Sequence, residues 1–187
     1  DDRIATSEEI EQMKKLAMEA FDQGVFGISS GLEYTPGSFA STEEISELCK
    51  VMKNRGGIYA THMRNEADTV LEAISEAIQI GKAAGVPVNI SHLKLQGKAN
   101  WNKIDQAFAL IEDANNNGHK VTFDRYPYTA FSTGLSNLFP LWSRDGGRER
   151  FLERLQNKND LVEIKKYVLD KVSSLSNWDA VLIAGVK

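Results

Sequence analysis

Gly57-Ile58-Tyr59-Ala60-Thr61-His62-Met63-Arg64-Asn65-Glu66 and, further along, Val86-Pro87-Val88-Asn89-Ile90-Ser91-His92-Leu93-Lys94 decide how this chain is read. Each is a short apolar run that ends on a histidine and passes into charged or polar residues. The histidines stand thirty positions apart, about one strand-helix repeat of an α/β barrel. Imidazoles at the ends of neighbouring strands can share one metal ion, and strand-end histidines can equally be hydrogen-bonded structural residues.

Working outward, helical and extended patterns alternate. Thr6 with Glu9 has the spacing of a capping box, with apolar residues following at Ile10, Met13, Leu16, Ala17 and Ala20 before Gly24 stops the helix. Val25 to Ser30 reads as a buried strand and Gly31 to Ser38 as a loop. Ser41 with Glu44 repeats the capping pattern over a face of Ile45, Leu48, Cys49 and Met52, ended by Gly56-Gly57. After the His62 strand, a helix is expected over 67–84 with Gly85 as its stop. After the His92 strand, another is expected over 101–116, packing through Ile104, Ala107, Phe108 and Ile111. His119 to Asp124 reads as a further strand. A long loop through Leu141-Trp142, two helices near 148–155 and 161–172, and an apolar strand from Ala180 to Ala184 complete the chain.

Strands therefore begin near 25, 58, 86 and 120, with a helix in each gap. That order implies parallel pairing. The fold class expected is α/β: part of a (β/α)8 TIM-type barrel, about four βα units. A whole barrel takes roughly 250 residues, so residues 1–187 are expected to form one partial catalytic-barrel domain of a longer chain. A doubly wound sheet is the alternative.

Composition narrows the function classes. The 187 residues carry a net charge of −4 with dispersed lysines and arginines, which argues against nucleic acid as a partner. Apolar runs are too short for a transmembrane span, and a single cysteine fits a reducing compartment. A cytoplasmic protein without a membrane partner is expected. Ligands of parallel α/β folds collect beyond the carboxyl ends of the strands. There the chain places Tyr34, then His62 with Arg64 and Glu66, then His92 with Lys94, then Asp124 with Tyr126 and Tyr128. Asp124 can serve as ligand, base or turn cap, and Arg64 and Lys94 can bind a substrate carboxylate or pair with nearby acids. Cys49, on an apolar helix face, reads as core. His119, at the other end of the strands, reads as a surface residue.

Four blocks carry a resemblance. Gly24 to Gly37 follows G-x-x-G-x-S-x-G-L-x-Y-x-P-G, His62-Met63-Arg64-Asn65-Glu66 follows H-M-R-x-E, Ser91-His92-Leu93-Lys94 follows S-H-x-K, and Asp124 to Ala130 follows D-x-Y-P-Y-x-A. Together they resemble the N-acyl-D-amino-acid deacylases (D-aminoacylases) of the amidohydrolase superfamily. The resemblance implies a metal-dependent barrel of which this chain supplies strands four to seven. It implies Zn2+ as cofactor, with His62 and His92 as ligands on strands five and six. Tyr34, Lys94, Tyr126, Ser132 and Arg144 are implied to hold the substrate's carboxylate. The implied reaction is hydrolysis of the amide of an N-acyl-D-amino acid, a small-molecule substrate, to a carboxylate and a D-amino acid.

The family's H-x-H pair, cysteine ligand and general-base aspartate on strand eight have no counterpart here, so no catalytic acid or base is assigned within the chain. The chain alone is expected to be inactive, to hold metal weakly and to self-associate through open strand edges. The alternatives are a dihydroorotase-like or hydantoinase-like cyclic amidase, which usually carries a lysine metal bridge on strand four, and a non-catalytic α/β binding module.

Overall fold

A computed structural model describes residues 3–175 and 177–185. Helix α1 (Ser7–Asp22) begins at Thr6, whose side chain accepts from Glu9 N while the Glu9 carboxylate accepts from Thr6 N. A cap of this kind is worth about 1 kcal/mol. Strand β1 (Gly27–Gly31) leads into a loop with one 3-10 turn at Gly37–Phe39. Helix α2 (Thr42–Cys49) opens on Ser41, which accepts from Glu44 N, while the Glu44 carboxylate takes the amide of Ala5. Strand β2 (Ile58–His62), helix α3 (Val70–Ala84), strand β3 (Val88–Ile90), helix α4 (Ile104–Asn116) and strand β4 (Val121–Phe123) continue the alternation. Gly85 ends α3 in the left-handed conformation, at φ 70°.

The strands form one four-stranded sheet in the order β1-β2-β3-β4, every pair parallel. Helices α2, α3 and α4 lie side by side over one face. Between the layers sit Tyr59, Val70, Ile74, Ile80, Val88 and Ile90, all fully buried. Each such aliphatic side chain contributes about 1.5–3 kcal/mol by leaving water. On the opposite face the register lines up Ser29, Ala60, Asn89 and Thr122, small or polar and at most half-buried. Because side chains alternate along a strand, His62 falls on this open face with Ala60. The alternation and register match the expected barrel segment.

The structure corrects several expectations. Strand β1 begins at Gly27, because Val25 and Phe26 lie exposed ahead of it, Phe26 at 91%. Helix α2 ends by a 3-10 turn at Lys50–Met52, before Gly56-Gly57. Residues 98–103 form a 3-10 turn, and α4 packs through Ala107, Ile111 and Ala114. Ile104 and Phe108 stay more than a third exposed, with Phe108 stacked on the half-open Phe123 of β4. Leu141–Arg144 is not loop but a short helix, α5, followed by α6 (Gly147–Gln156) and α7 (Lys158–Ser174). The strand expected at Ala180 to Ala184 does not form: a 3-10 turn at Trp178–Ala180 leads into irregular chain, with Leu182 85% exposed. An apolar run becomes a strand only where a neighbouring strand takes up its amides, and this one reaches no sheet edge.

Candidate metal centre

The carboxyl ends of β2 and β3 bring His62 and His92 together. His62 Nδ1 lies 3.0 Å from His92 Nε2, and the ring centroids are 4.6 Å apart in an edge-on arrangement. Two nitrogens bound tetrahedrally to one zinc at about 2.0–2.1 Å stand roughly 3.3 Å apart, so the spacing suits a shared ion. The outer nitrogens meet carboxylates. His62 Nε2 lies 2.8 Å from Glu33 Oε2, and His92 Nδ1 lies 3.1 Å from Glu66 Oε1. When the outer N–H donates to a carboxylate, the inner nitrogen is left with its lone pair facing the common point. Ligand atoms of His62, Glu66 and His92 lie within 4.8 Å of one another, the one such grouping among the described residues.

Each partner is itself held. Glu66 is buried at 2% exposure, and its Oε1 also accepts from Lys94 Nζ at 2.6 Å. Lys94 further reaches His92 Nδ1 and the His92 carbonyl, both at 3.0 Å. Glu33 accepts from Asn137 Nδ2 at 3.1 Å. Burial opposes charge on Glu33, but the hydrogen bonds from His62 and Asn137 outweigh it, and the carboxyl stays below the usual range. Burial likewise lowers the Lys171 ammonium, against the pull of Glu33.

His92 adopts a left-handed backbone, φ 41°, rare for a residue with a side chain. Asp124 supports it: Oδ1 accepts the His92 amide at 2.7 Å, Oδ2 accepts from Asn89 Nδ2 at 2.8 Å, and the Asp124 carbonyl accepts the Leu93 amide. The His92 amide is the largest cause holding the Asp124 carboxyl below its ordinary value. Of the roles open to Asp124, the structure builds the turn cap. Arg64 is likewise occupied. It forks onto Glu76 and donates to the carbonyls of Ser38 and Ala40, so it braces the loop after β1 and is committed there.

The other expected residues spread around this centre. Tyr34 packs its ring 4.7 Å from His62 and bonds Thr133 through its hydroxyl at 3.1 Å. The Tyr126 ring stands 6.5 Å from His92 and beneath Lys94 Nζ, with its hydroxyl buried and without a hydrogen-bond partner. Burial is the main cause raising that phenol. Arg144, on α5, is half-buried with Nε unpartnered. Burial lowers it, while Tyr167 and Glu33 favour its charge. Ser132 is exposed, beside the Thr133 that meets Tyr34. Cys49 is wholly buried, which pushes its thiol up to about 12, in keeping with core. His119 departs from expectation: it is half-buried, with Nε2 enclosed and unpartnered.

Glu33 went unnoticed in the sequence, where it stands inside an apolar and glycine-rich block. The available signal was its place two residues beyond the end of β1, where a carboxylate faces the next strand's histidine.

No family model matches the chain. A D-aminoacylase of Alcaligenes xylosoxydans xylosoxydans is 46% identical over 133 residues, 71% of this chain and 27% of that protein. The crystal structure of a D-aminoacylase, described as defining a novel subset of amidohydrolases, superposes with a TM-score of 0.66 at 45% identity, over 70% of this chain and 27% of that one. An N-acyl-D-glutamate deacylase from Bordetella bronchiseptica, solved with zinc and a phosphonate that mimics the tetrahedral intermediate, superposes with a TM-score of 0.66 at 34% identity, over 68% of this chain and 27% of that one. The chain thus spans about a quarter of the length of the relatives it matches. Over that segment, in sequence and in fold, it is homologous to the N-acyl-D-amino-acid deacylases of the amidohydrolase superfamily.

Proposed function

We propose that this chain supplies part of the active site of a zinc-dependent hydrolase that cleaves the amide of N-acyl-D-amino acids, with His62 Nδ1 and His92 Nε2 as metal ligands. The observation that carries this reading is the 3.0 Å approach of those two nitrogens, each ring held from outside by a carboxylate. With the outer N–H groups donating to those carboxylates, the two facing nitrogens both present lone pairs, which a cation between them would satisfy. Zinc bound there supplies polarisation of the acyl carbonyl and a water of lowered pKa.

The chain's own residues then bind and orient. Lys94 lies over the Tyr126 ring, Arg144 interacts with the charge of Glu33, and the unpartnered Tyr126 hydroxyl and Arg144 Nε are assigned as donors to a substrate carboxylate. Tyr34 and Ser132 are assigned to the same carboxylate, Tyr34 against the His62 ring and Ser132 beside the Thr133 that meets Tyr34. Fixing the carboxylate there would leave one enantiomer with its amide turned toward the histidines.

In the full-length protein, His62→Ala is expected to remove tightly held zinc, read by elemental analysis after gel filtration. Unchanged zinc content would overturn the ligand assignment.

A further inference from the structure

We propose that Glu33 and Glu66 are the positioning residues of this centre, one carboxylate behind each histidine, and that together they select which ring nitrogens face the shared point. This rests on the metal reading above and deepens it, giving the two outer carboxylates a defined role. Glu33 Oε2 stands 2.8 Å from His62 Nε2, and Glu66 Oε1 stands 3.1 Å from His92 Nδ1. The outer nitrogens are therefore of opposite kinds, ε on one ring and δ on the other. A carboxylate accepts and cannot donate. Glu33 fixes the proton on His62 Nε2. Glu66 favours it on His92 Nδ1, where Lys94 Nζ, 3.0 Å away, is taken up as donor by Glu66 and the His92 carbonyl. The lone pair is then left on the nitrogen that faces the other ring.

Neither carboxylate is free to swing. Glu66 is 2% exposed and tied to Lys94, and Glu33 is tied to Asn137, whose carbonyl in turn accepts from Lys171 of α7 at 2.7 Å. Glu33 thereby links the centre to the segment that follows β4, and Glu66 links it to the cation beside His92. Outer carboxylates of this kind set ring orientation and ligand basicity, and their loss typically costs 10–100-fold in metal affinity.

The test uses the full-length protein with Glu33→Ala, Glu33→Gln, Glu66→Gln and His62→Ala. Zinc affinity is measured by chelator competition, and the ring nitrogens of His62 and His92 are followed by 15N NMR on metal-free protein. Glu33→Ala is expected to weaken zinc by about 10–100-fold. Glu33→Gln should weaken it less, since its carbonyl still accepts from Nε2–H. In the unsubstituted protein His62 should carry its proton on Nε2, and Glu33→Ala should redistribute it, a change that a merely structural glutamate would not produce. His62→Ala losing zinc while the glutamate variants keep full affinity and an unchanged ring pattern would overturn the positioning role alone. His62→Ala retaining zinc would overturn the metal reading itself. Unfolding of Glu33→Ala would leave Glu33→Gln and Glu66→Gln, which preserve side-chain volume, to decide by the same two measurements.

Discussion

At the carboxyl end of the sheet, His62 and His92 have every ring nitrogen within reach of a polar partner, whereas at the amino end His119 has its Nε2 enclosed with none. The two ends are built on different physics. The carboxyl end is organised by hydrogen bonds and charge, with Glu33, Glu66, Lys94 and Asp124 each holding a neighbour. The amino end is organised by close approach. A Cβ on Gly81 would stand 2.2 Å from Val88 Cγ2 and 2.8 Å from His119 Nε2, so helix α3 meets β3 there with no room for a side chain. Polar order at the carboxyl end and dense packing at the amino end follow the division expected of parallel α/β folds.

Substitutions at three positions sharpen that contrast. Gly81→Ala should cost about 1–3 kcal/mol by overpacking, despite the better helix propensity of alanine, and should leave zinc affinity alone. Urea unfolding and chelator competition measure the two, and a stabilised variant would show that the amino end is not tightly packed. Asp124→Ala removes the acceptor that holds the His92 amide and should cost about 1 kcal/mol. Unlike Gly81→Ala it should also weaken zinc binding, while Asp124→Asn, which keeps an acceptor, should largely restore both. Equal zinc affinity across these variants would break the link between the left-handed turn and the centre.

The smallest effect concerns His119→Leu. Burial first, and Lys82 second, hold His119 below its ordinary 6.5. The native state thus resists a proton that the unfolded chain accepts. The stability that His119 leaves intact above 6.5 is lost as pH falls from there through its folded value. His119→Leu should flatten that part of the stability profile, and an unchanged slope would show that the imidazole titrates freely.

The legible parts of the chain were those where local chemistry and tertiary packing agree. Thr6 with Glu9 and the Gly85 stop mark helix ends by the groups they satisfy, and the runs ending on His62 and His92 are strands because neighbours pair on both sides. The pairing of those two histidines followed from the repeat length. The less legible parts depend on what lies alongside. Phe108 has the period of a core residue, yet it stays more than a third exposed, stacked on the half-open Phe123. Residues 180–184 have strand composition but pair with no strand among the described residues. Glu66 stood in view beside His62 in the sequence, but its place behind His92, like that of Glu33 behind His62, is defined across strands and not along the chain.

The Arg64 fork has a mechanical consequence. The loop carrying Glu33 and Tyr34 is anchored at one end by β1 and at the other by the carbonyls of Ser38 and Ala40, both fastened through Arg64 to Glu76 of α3. It therefore behaves as a strut and not as a flap. Freeing its far end breaks the Glu76 ion pair together with both carbonyl bonds, so the segment lets go all at once or stays in place.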